Sequence, residues 1–274
     1  MVLFHTNQIG EPGLIWWEVL IVAACFEALY LGLGVLFRHV ATKKGVALDA
    51  KRKKAFARDG NSYAVSLLHA TVVALRSLKH LYDLRDAPLW PKFNQLQYGS
   101  PTPWAQGAAG VEPTNTIFLA FLLYDLVHVL REYPRLGSVD TIAHHLGFMV
   151  CATVCGYNRV FPWPFSWMAV GEVSTLPLNL RWFLINSGRG DTVLMKRTNT
   201  VFAFTFFVGR VVLFGLGLLH MWINREPWVL GPCRRVAGLH FVVGLFVAGY
   251  HLNLMWFRKI LQMGRRPPRK ARSE

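Results

Sequence analysis

Two adjacent histidines, His144 and His145, interrupt the apolar stretch DTIAHHLGF. Neighbours on a helix are about 100° apart, so one ring can face a cavity squarely while the other stands beside it or supports it. Upstream, FLLYDLVHVL holds Tyr124, Asp125 and His128, whose spacings of three and four residues put all three on one helical face. Downstream, GEVSTLPLNLRWF holds Glu172, Thr175 and Asn179 along one stripe, with Ser174 and Arg181 on another. His69 in SLLHATVV adds one more histidine within an apolar run.

Three chemistries fit such a set. A neutral imidazole can attack a thioester, or act as general base toward an attacking amine or hydroxyl, and Asp125 or Glu172 can orient one ring. Acyl transfer to a lipid is therefore the first reading. Its reacting groups are His144, His145, Asp125 and Glu172; its substrate contacts are His69, Tyr124, His128, Thr175, Asn179 and Arg181. Metal chemistry is the second. A di-iron lipid oxygenase needs several histidine-rich boxes, but the ten histidines here supply a single doublet, and Thr141 breaks any His-x-x-His-His pattern. One zinc held by His144, His145, Asp125 or His128 is conceivable, yet the spacing does not ask for it. No metal and no resident cofactor are expected, acyl-CoA entering only as a substrate. The third reading is non-catalytic: a lipid-binding, sensing or trafficking bundle with the same polar residues as interhelical glue, each such bond contributing about 0.6 kcal/mol. A structural or interfacial role is the reading for Arg210, His220, His240 and His251, and a span-end or helix-pairing role for Glu18 and Glu27.

These residues matter because of the solvent around them. The chain has 274 residues, 53% hydrophobic and only 16% charged, with a mean hydropathy of +0.30. Water-soluble domains carry about 25% charged residues, so the bilayer is the expected solvent. A spanning helix needs about 20 mainly apolar residues. Seven stretches qualify, roughly 14–37, 60–80, 115–131, 140–158, 163–185, 200–222 and 236–257. The fifth contains Pro164, Glu172, Pro177 and Asn179, so it must be kinked and buried in protein. An ionisable group at membrane depth costs at least about 2.5 kcal/mol unless it faces the bundle interior, so the polar residues above mark where that interior lies.

The net charge of +15 concentrates in two places. Residues 38–58 hold eight basic residues and one acid, and 258–274 hold seven basic residues and one acid. Both runs flank apolar spans, the pattern of a membrane-topology signal, and no nucleic-acid partner is expected. With seven spans, this asymmetry puts the N-terminus on the lumenal side and the C-terminus in the cytoplasm. Segment 81–114, with Pro88, Pro91, Pro101, Pro103 and Pro113, reads as an ordered lumenal loop or a re-entrant excursion. Four cysteines offer no disulfide framework, and Cys25, Cys151 and Cys155 read as small packing residues.

His69, the Tyr124–Asp125 pair, the His144–His145 doublet and GEVSTLPLNLRWFL, in this order, resemble the TLC (TRAM–LAG–CLN homology) family of endoplasmic-reticulum membrane proteins over about 55–260. The last element is similar to a Glu-x-Ser-Thr-x-x-x-Asn-x-Arg-Trp pattern of TLC-domain-containing proteins. Ceramide synthases of the same family continue into an aspartate-rich stretch where this chain has Glu172, Ser174, Thr175, Asn179 and Arg181. The resemblance is therefore closer to the TLC-domain-containing proteins. It implies an all-α membrane protein: about seven transmembrane helices, six forming a bundle around a lipid-accommodating cavity, and a peripheral first helix. It divides the chain into 1–54, with the first helix and a basic loop, a TLC domain at 55–260, and a basic tail at 261–274. It also implies a multi-pass endoplasmic-reticulum protein of lipid or sphingolipid homeostasis whose partners are membrane lipids. By the same resemblance, the doublet would carry any acyl transfer from acyl-CoA, as in a ceramide-synthase-like N-acyltransferase.

Overall fold

Long apolar runs with few helix breakers leave the backbone no partner but itself in a bilayer, so they wind into helices. The computed structural model describes residues 15–42, 48–83, 110–158, 161–223, 225 and 238–264, and its regular elements are all helical. They are α1 (Trp16–Thr42), α2 (Ala50–Asp83), α3 (Val111–Arg131), α4 (Val139–Asn158), α5 (Pro162–Ala169), α6 (Thr175–Asn186), α7 (Val193–Phe206), α8 (Phe214–Ile223) and α9 (Leu239–Gly264). A 3₁₀ turn, Val170–Ser174, joins α5 to α6, and a π segment, Phe207–Leu213, joins α7 to α8. The described residues thus form seven rods, and the chain is an all-α membrane protein. Five rods (α1, α3, α4, α7–α8 and α9) are long and apolar enough to cross a membrane. The other two, α2 and α5–α6, are more polar or broken, and they gain their place by packing.

Local chemistry sets the ends. Asp49 Oδ1 accepts the Arg52 amide at 2.8 Å, starting α2 well before its apolar stretch. Thr192 caps α7 by accepting the Met195 amide at 3.2 Å, and Pro162 occupies the first turn of α5, where its missing N–H costs nothing. The expected kink in the fifth span is the 3₁₀ turn. Pro177 has no N–H for the carbonyl of Val173, so α winding cannot run unbroken through it. Six of the eight α5 residues are buried, which keeps this polar, broken rod out of lipid.

α3 is the most enclosed of the long apolar helices, with α1, α2 and α4 against it. α1 is peripheral, since most of its surface is uncovered, but it is not idle: it packs on both α2 and α3. One core gathers Phe26, Val65, Val73, Phe118 and Leu119, where α1, α2 and α3 meet. A second gathers Cys151, Cys155, Met168, Phe214 and Phe246, where α4, α5, α8 and α9 meet. Both cysteines are buried thiols, and Cys25 is exposed. Leu20, Leu31, Val35, Phe204 and Trp222, all exposed, belong to an apolar exterior suited to lipid.

At one end of the bundle lie the start of α2, the α3–α4 turn and the α6–α7 turn. Arg135 in the α3–α4 turn makes an ion pair with Asp59 of α2 and a 2.8 Å one with Glu132, while Arg58 holds the other side of Asp59 at 2.8 Å. Glu132 lies outside the spans, and its hydrogen bond to Arg135 holds its carboxyl below the ordinary value. This clamp fixes the turn from which α4, with the histidine doublet, departs. Both ends of the expected 81–114 loop are helical, α2 running to Asp83 and α3 starting at Val111 with Pro113 in its first turn. Segment 84–109, with Pro88, Pro91, Pro101 and Pro103, and the basic tail beyond 264 lie outside the described residues.

Candidate functional site

The doublet divides its work between two faces of α4. His145 is buried against α3, its Nε2 2.9 Å from Asp125 Oδ2 and its Nδ1 2.8 Å from the Thr141 carbonyl. Both neighbours are acceptors. The two bonds therefore need a proton on each side of the ring, either with the imidazole as a cation or with one proton held by Asp125. In either state His145 has no lone pair to offer a substrate. His144 is turned about one-quarter of a circle away. Its ring packs against Phe148 and Trp256, at centroid distances of 4.6 and 5.3 Å, and it has no hydrogen-bond partner among the described residues. It is the imidazole of the pair with chemistry to spare.

Glu172 does not join the doublet by a hydrogen bond. It sits in the 3₁₀ turn, where Arg210 from the π segment donates to its Oε1 at 2.9 Å and Thr175 donates to its Oε2 at 3.0 Å. Arg210 also donates from Nε to Ser174 at 3.0 Å and from Nη2 to Thr175 at 3.3 Å. The two irregular segments touch at glycines: a Cβ on Gly209 would lie 3.1 Å from the Gly171 Cα, so any side chain there would push the two backbones apart by a few tenths of an ångström. Glu172 and Arg210 are thus a largely desolvated ion pair, with the Ser174 and Thr175 hydroxyls as further partners.

These groups wall one side of an apolar opening. A narrow crevice lined by His144, Glu172 and Arg210, and otherwise by Phe118, Phe148, Cys151, Phe165, Met168 and Phe214, has about 30 Å³ of free space. His144 and Arg210 also line a wider cavity of about 340 Å³, between α6, α7 and α9. Leu178, Phe202, Phe206, Trp256, Ile260 and Met263 make that wall greasy, and Arg181 and Lys259 add charge near the end of the bundle. The Trp256 indole N–H is held by Asp140 at 3.0 Å, which fixes the ring beside His144.

The remaining expected contacts scatter. Tyr124, Asp125 and His128 do not share one face. His128 Nε2 lies 2.7 Å from Glu27 Oε2, and the Tyr124 and Tyr30 rings pack on His128 at 4.7 and 4.2 Å. These residues look toward α1, while Asp125 looks toward α4. The reason is that α3 runs between those two helices, and the 100° between Tyr124 and Asp125 spans the gap. Asn179 donates to Ser66 of α2 at 3.0 Å and so leaves the stripe expected for it with Glu172 and Thr175. Winding through the 3₁₀ turn is tighter than α, which breaks that register. His69 is 2% exposed, stacks on Phe121 at 3.7 Å, and has no hydrogen-bond partner on either nitrogen. His240 and His251 are exposed on α9, away from the doublet. No three His, Cys, Asp or Glu side chains converge as a metal cluster among the described residues.

Arg210 is the residue that pattern reading undervalued, as a structural or interfacial group. The signal was present: it is the one Lys, Arg, Asp or Glu in the apolar stretch 200–222, where a charge at depth calls for a buried partner. Trp256 and Lys259 left no such mark, because they lie near the end of a helix rich in both residue kinds.

The comparisons with known proteins agree with this architecture. The family model of the TLC domain matches residues 60–262. The chain is 25% identical over 209 residues to TLC domain-containing protein 4-B of Danio rerio, covering 74% of this chain and 72% of that protein.

Proposed function

As the chain belongs to the TLC domain family, we propose that it acts in membrane lipid homeostasis by admitting a fatty acyl chain to the cavity beside His144, where the acyl group passes from acyl-CoA to a lipid amine or hydroxyl. The observation that supports this is the split doublet: one imidazole locked to a carboxylate, the other unbonded on the wall of an apolar opening. His144 would take the proton as the acceptor's lone pair attacks the thioester carbonyl carbon. The carbon–sulfur bond then breaks, and the departing thiolate takes the proton from the imidazolium, leaving an amide or ester and free CoA. His145, locked to Asp125, would fix the backbone and the ring beside it. The basic residues at the α9 end support a cytoplasmic location for that face, with the N-terminus lumenal. The family supports the endoplasmic reticulum as the membrane.

A second reading, lipid binding or sensing without turnover, is favoured by one observation: the crevice where His144 meets Glu172 has only about 30 Å³ free, room for a water or two. Reconstituted protein, given palmitoyl-CoA with sphingoid-base or glycerolipid acceptors, separates the two. Product that disappears in His144→Ala, with lipid binding retained, supports transfer. Saturable lipid binding with no product from any acceptor, equal in wild type and His144→Ala, overturns it in favour of the second reading.

A further inference from the structure

The wide cavity is apolar along most of its wall, yet it holds three cations, Arg181, Arg210 and Lys259, and no carboxylate lines it. Arg210 is spoken for by Glu172. Arg181 and Lys259 have no ion-pair partner among the described residues, and the Arg181 Nε is buried without a hydrogen-bond acceptor. Asp140, the acid beside this wall, is hydrogen-bonded by the Trp256 indole and Ser138 and attracts Lys259 from beyond ion-pair distance, which leaves Arg181 as the cation with no acid near it. A buried donor left unpaired is costly, and more so when it is charged, so the cavity suits something that supplies acceptor oxygens.

Position narrows the ligand. Arg181 is six residues beyond Thr175 on α6, about 9 Å further toward the basic end, and Lys259 lies nearly one turn beyond Trp256 on α9. The charges therefore stand nearer the basic end of the bundle than Thr175 and Trp256, the latter being the residue that packs on His144. On the reading proposed above, on which this step rests, the carbonyl carbon that reacts must reach His144. A fatty acid would hold its own carboxyl carbon out at the cations. A ligand whose anionic group is separate from its acyl carbon fits instead. Two cations on one cavity wall, one of them a guanidinium fork with several donors, match a phosphate better than a single pair of oxygens.

We infer that Arg181 and Lys259 form a phosphate-binding site on the wall of the cavity, holding a phosphate-bearing amphiphile whose chain enters toward His144. The phosphate belongs to a lipid headgroup or to a nucleotide-activated acyl donor.

The test uses full-length protein in uncharged nanodiscs and three palmitoyl probes: monopalmitoylglycerol, palmitoyl lysophosphatidic acid and palmitoyl-CoA. At least one phosphate-bearing probe binds tenfold or more tighter than monopalmitoylglycerol. Arg181→Gln/Lys259→Gln abolishes that difference without changing monopalmitoylglycerol affinity, and Arg181→Lys/Lys259→Arg keeps most of it. Preference for lysophosphatidic acid alone identifies a lipid headgroup; preference for palmitoyl-CoA alone identifies the activated donor. Equal affinity for all three probes in the wild type overturns the inference while leaving the lipid-cavity reading intact, as does an equal loss for all three in the double Gln variant. Failure of every probe to bind folded wild-type protein sinks the lipid-cavity reading and the inference with it.

Discussion

Arg210→Met is the sharpest perturbation of this bundle. Arg210 and Glu172 have side chains 14% and 15% exposed, so water screens the pair only weakly. Removing the guanidinium deletes bonds to Glu172, Ser174 and Thr175 and leaves the carboxylate with one hydroxyl. Breaking a buried pair from one side costs about 3–5 kcal/mol, because an uncompensated charge remains. Replacing both partners, in Arg210→Met/Glu172→Gln, removes that charge and recovers much of the loss. The coupling between the two positions is then expected at about 2 kcal/mol, in the range for residues of one network. Reversible unfolding in mixed micelles with increasing denaturing detergent, followed by tryptophan fluorescence, measures all four corners of the cycle. Costs that simply add, or a single Arg210→Met loss below about 1 kcal/mol, would refute the claim that this pair is desolvated and mutually dependent.

Other consequences follow from the same contacts. His145→Ala strands Asp125 and is expected to cost about 3 kcal/mol, while His144→Ala removes only ring packing and costs about 1 kcal/mol; unfolding of the two variants side by side checks the asymmetry. Gly209→Ala drives a Cβ against the Gly171 backbone, which has no side chain to swing aside, for an expected loss of about 1–3 kcal/mol. Gly244→Ala, with nothing within 4 Å of its Cβ, should be neutral or slightly stabilising by the same measurement. The carboxyl of Glu132 is depressed by its bond to Arg135, so its contribution is complete above its ordinary value of 4.5 and is lost as pH falls through the lower folded value. The stability difference between wild type and Glu132→Gln should accordingly shrink as a thermal-melt series descends below about pH 4.5.

Why were the rods legible and the site only partly so? An apolar run of about 20 residues has one low-energy solution in a bilayer, so α1, α7–α8 and α9 declare themselves by composition alone. The doublet announced two roles by adjacency, but which ring took which role depended on α3 lying on one side of α4 and α9 on the other. That is a tertiary fact with no local signature. Tyr124 and His128 went astray for the same reason: a shared helical face does not say which neighbour it meets when the helix is central. The helices run on outward beyond the expected spans, as at Ala50, because Lys and Arg continue a helix well after it has left the hydrocarbon.

The polar residues of the fifth span show the deeper limit. Stripe arguments assume 100° per residue, but five residues wound at three per turn add about 100° of rotation over a uniform α-helix. The face presented by α6 is therefore not the continuation of the face presented by α5. Opposite it the π segment is wound more widely, and the two deviations meet at Gly171 and Gly209. A tight turn gathers Glu172, Ser174 and Thr175 onto a short arc, and the wide one presents Arg210 to all three. Regular α winding would leave Thr175 about 60° and Ser174 about 160° round the axis from Glu172, whereas three residues per turn bring them to about 0° and 120°. The irregular backbone and the ion pair thus account for each other: the charge is tolerable because the helices deviate there, and the deviation is held in place because relaxing it would expose the charge.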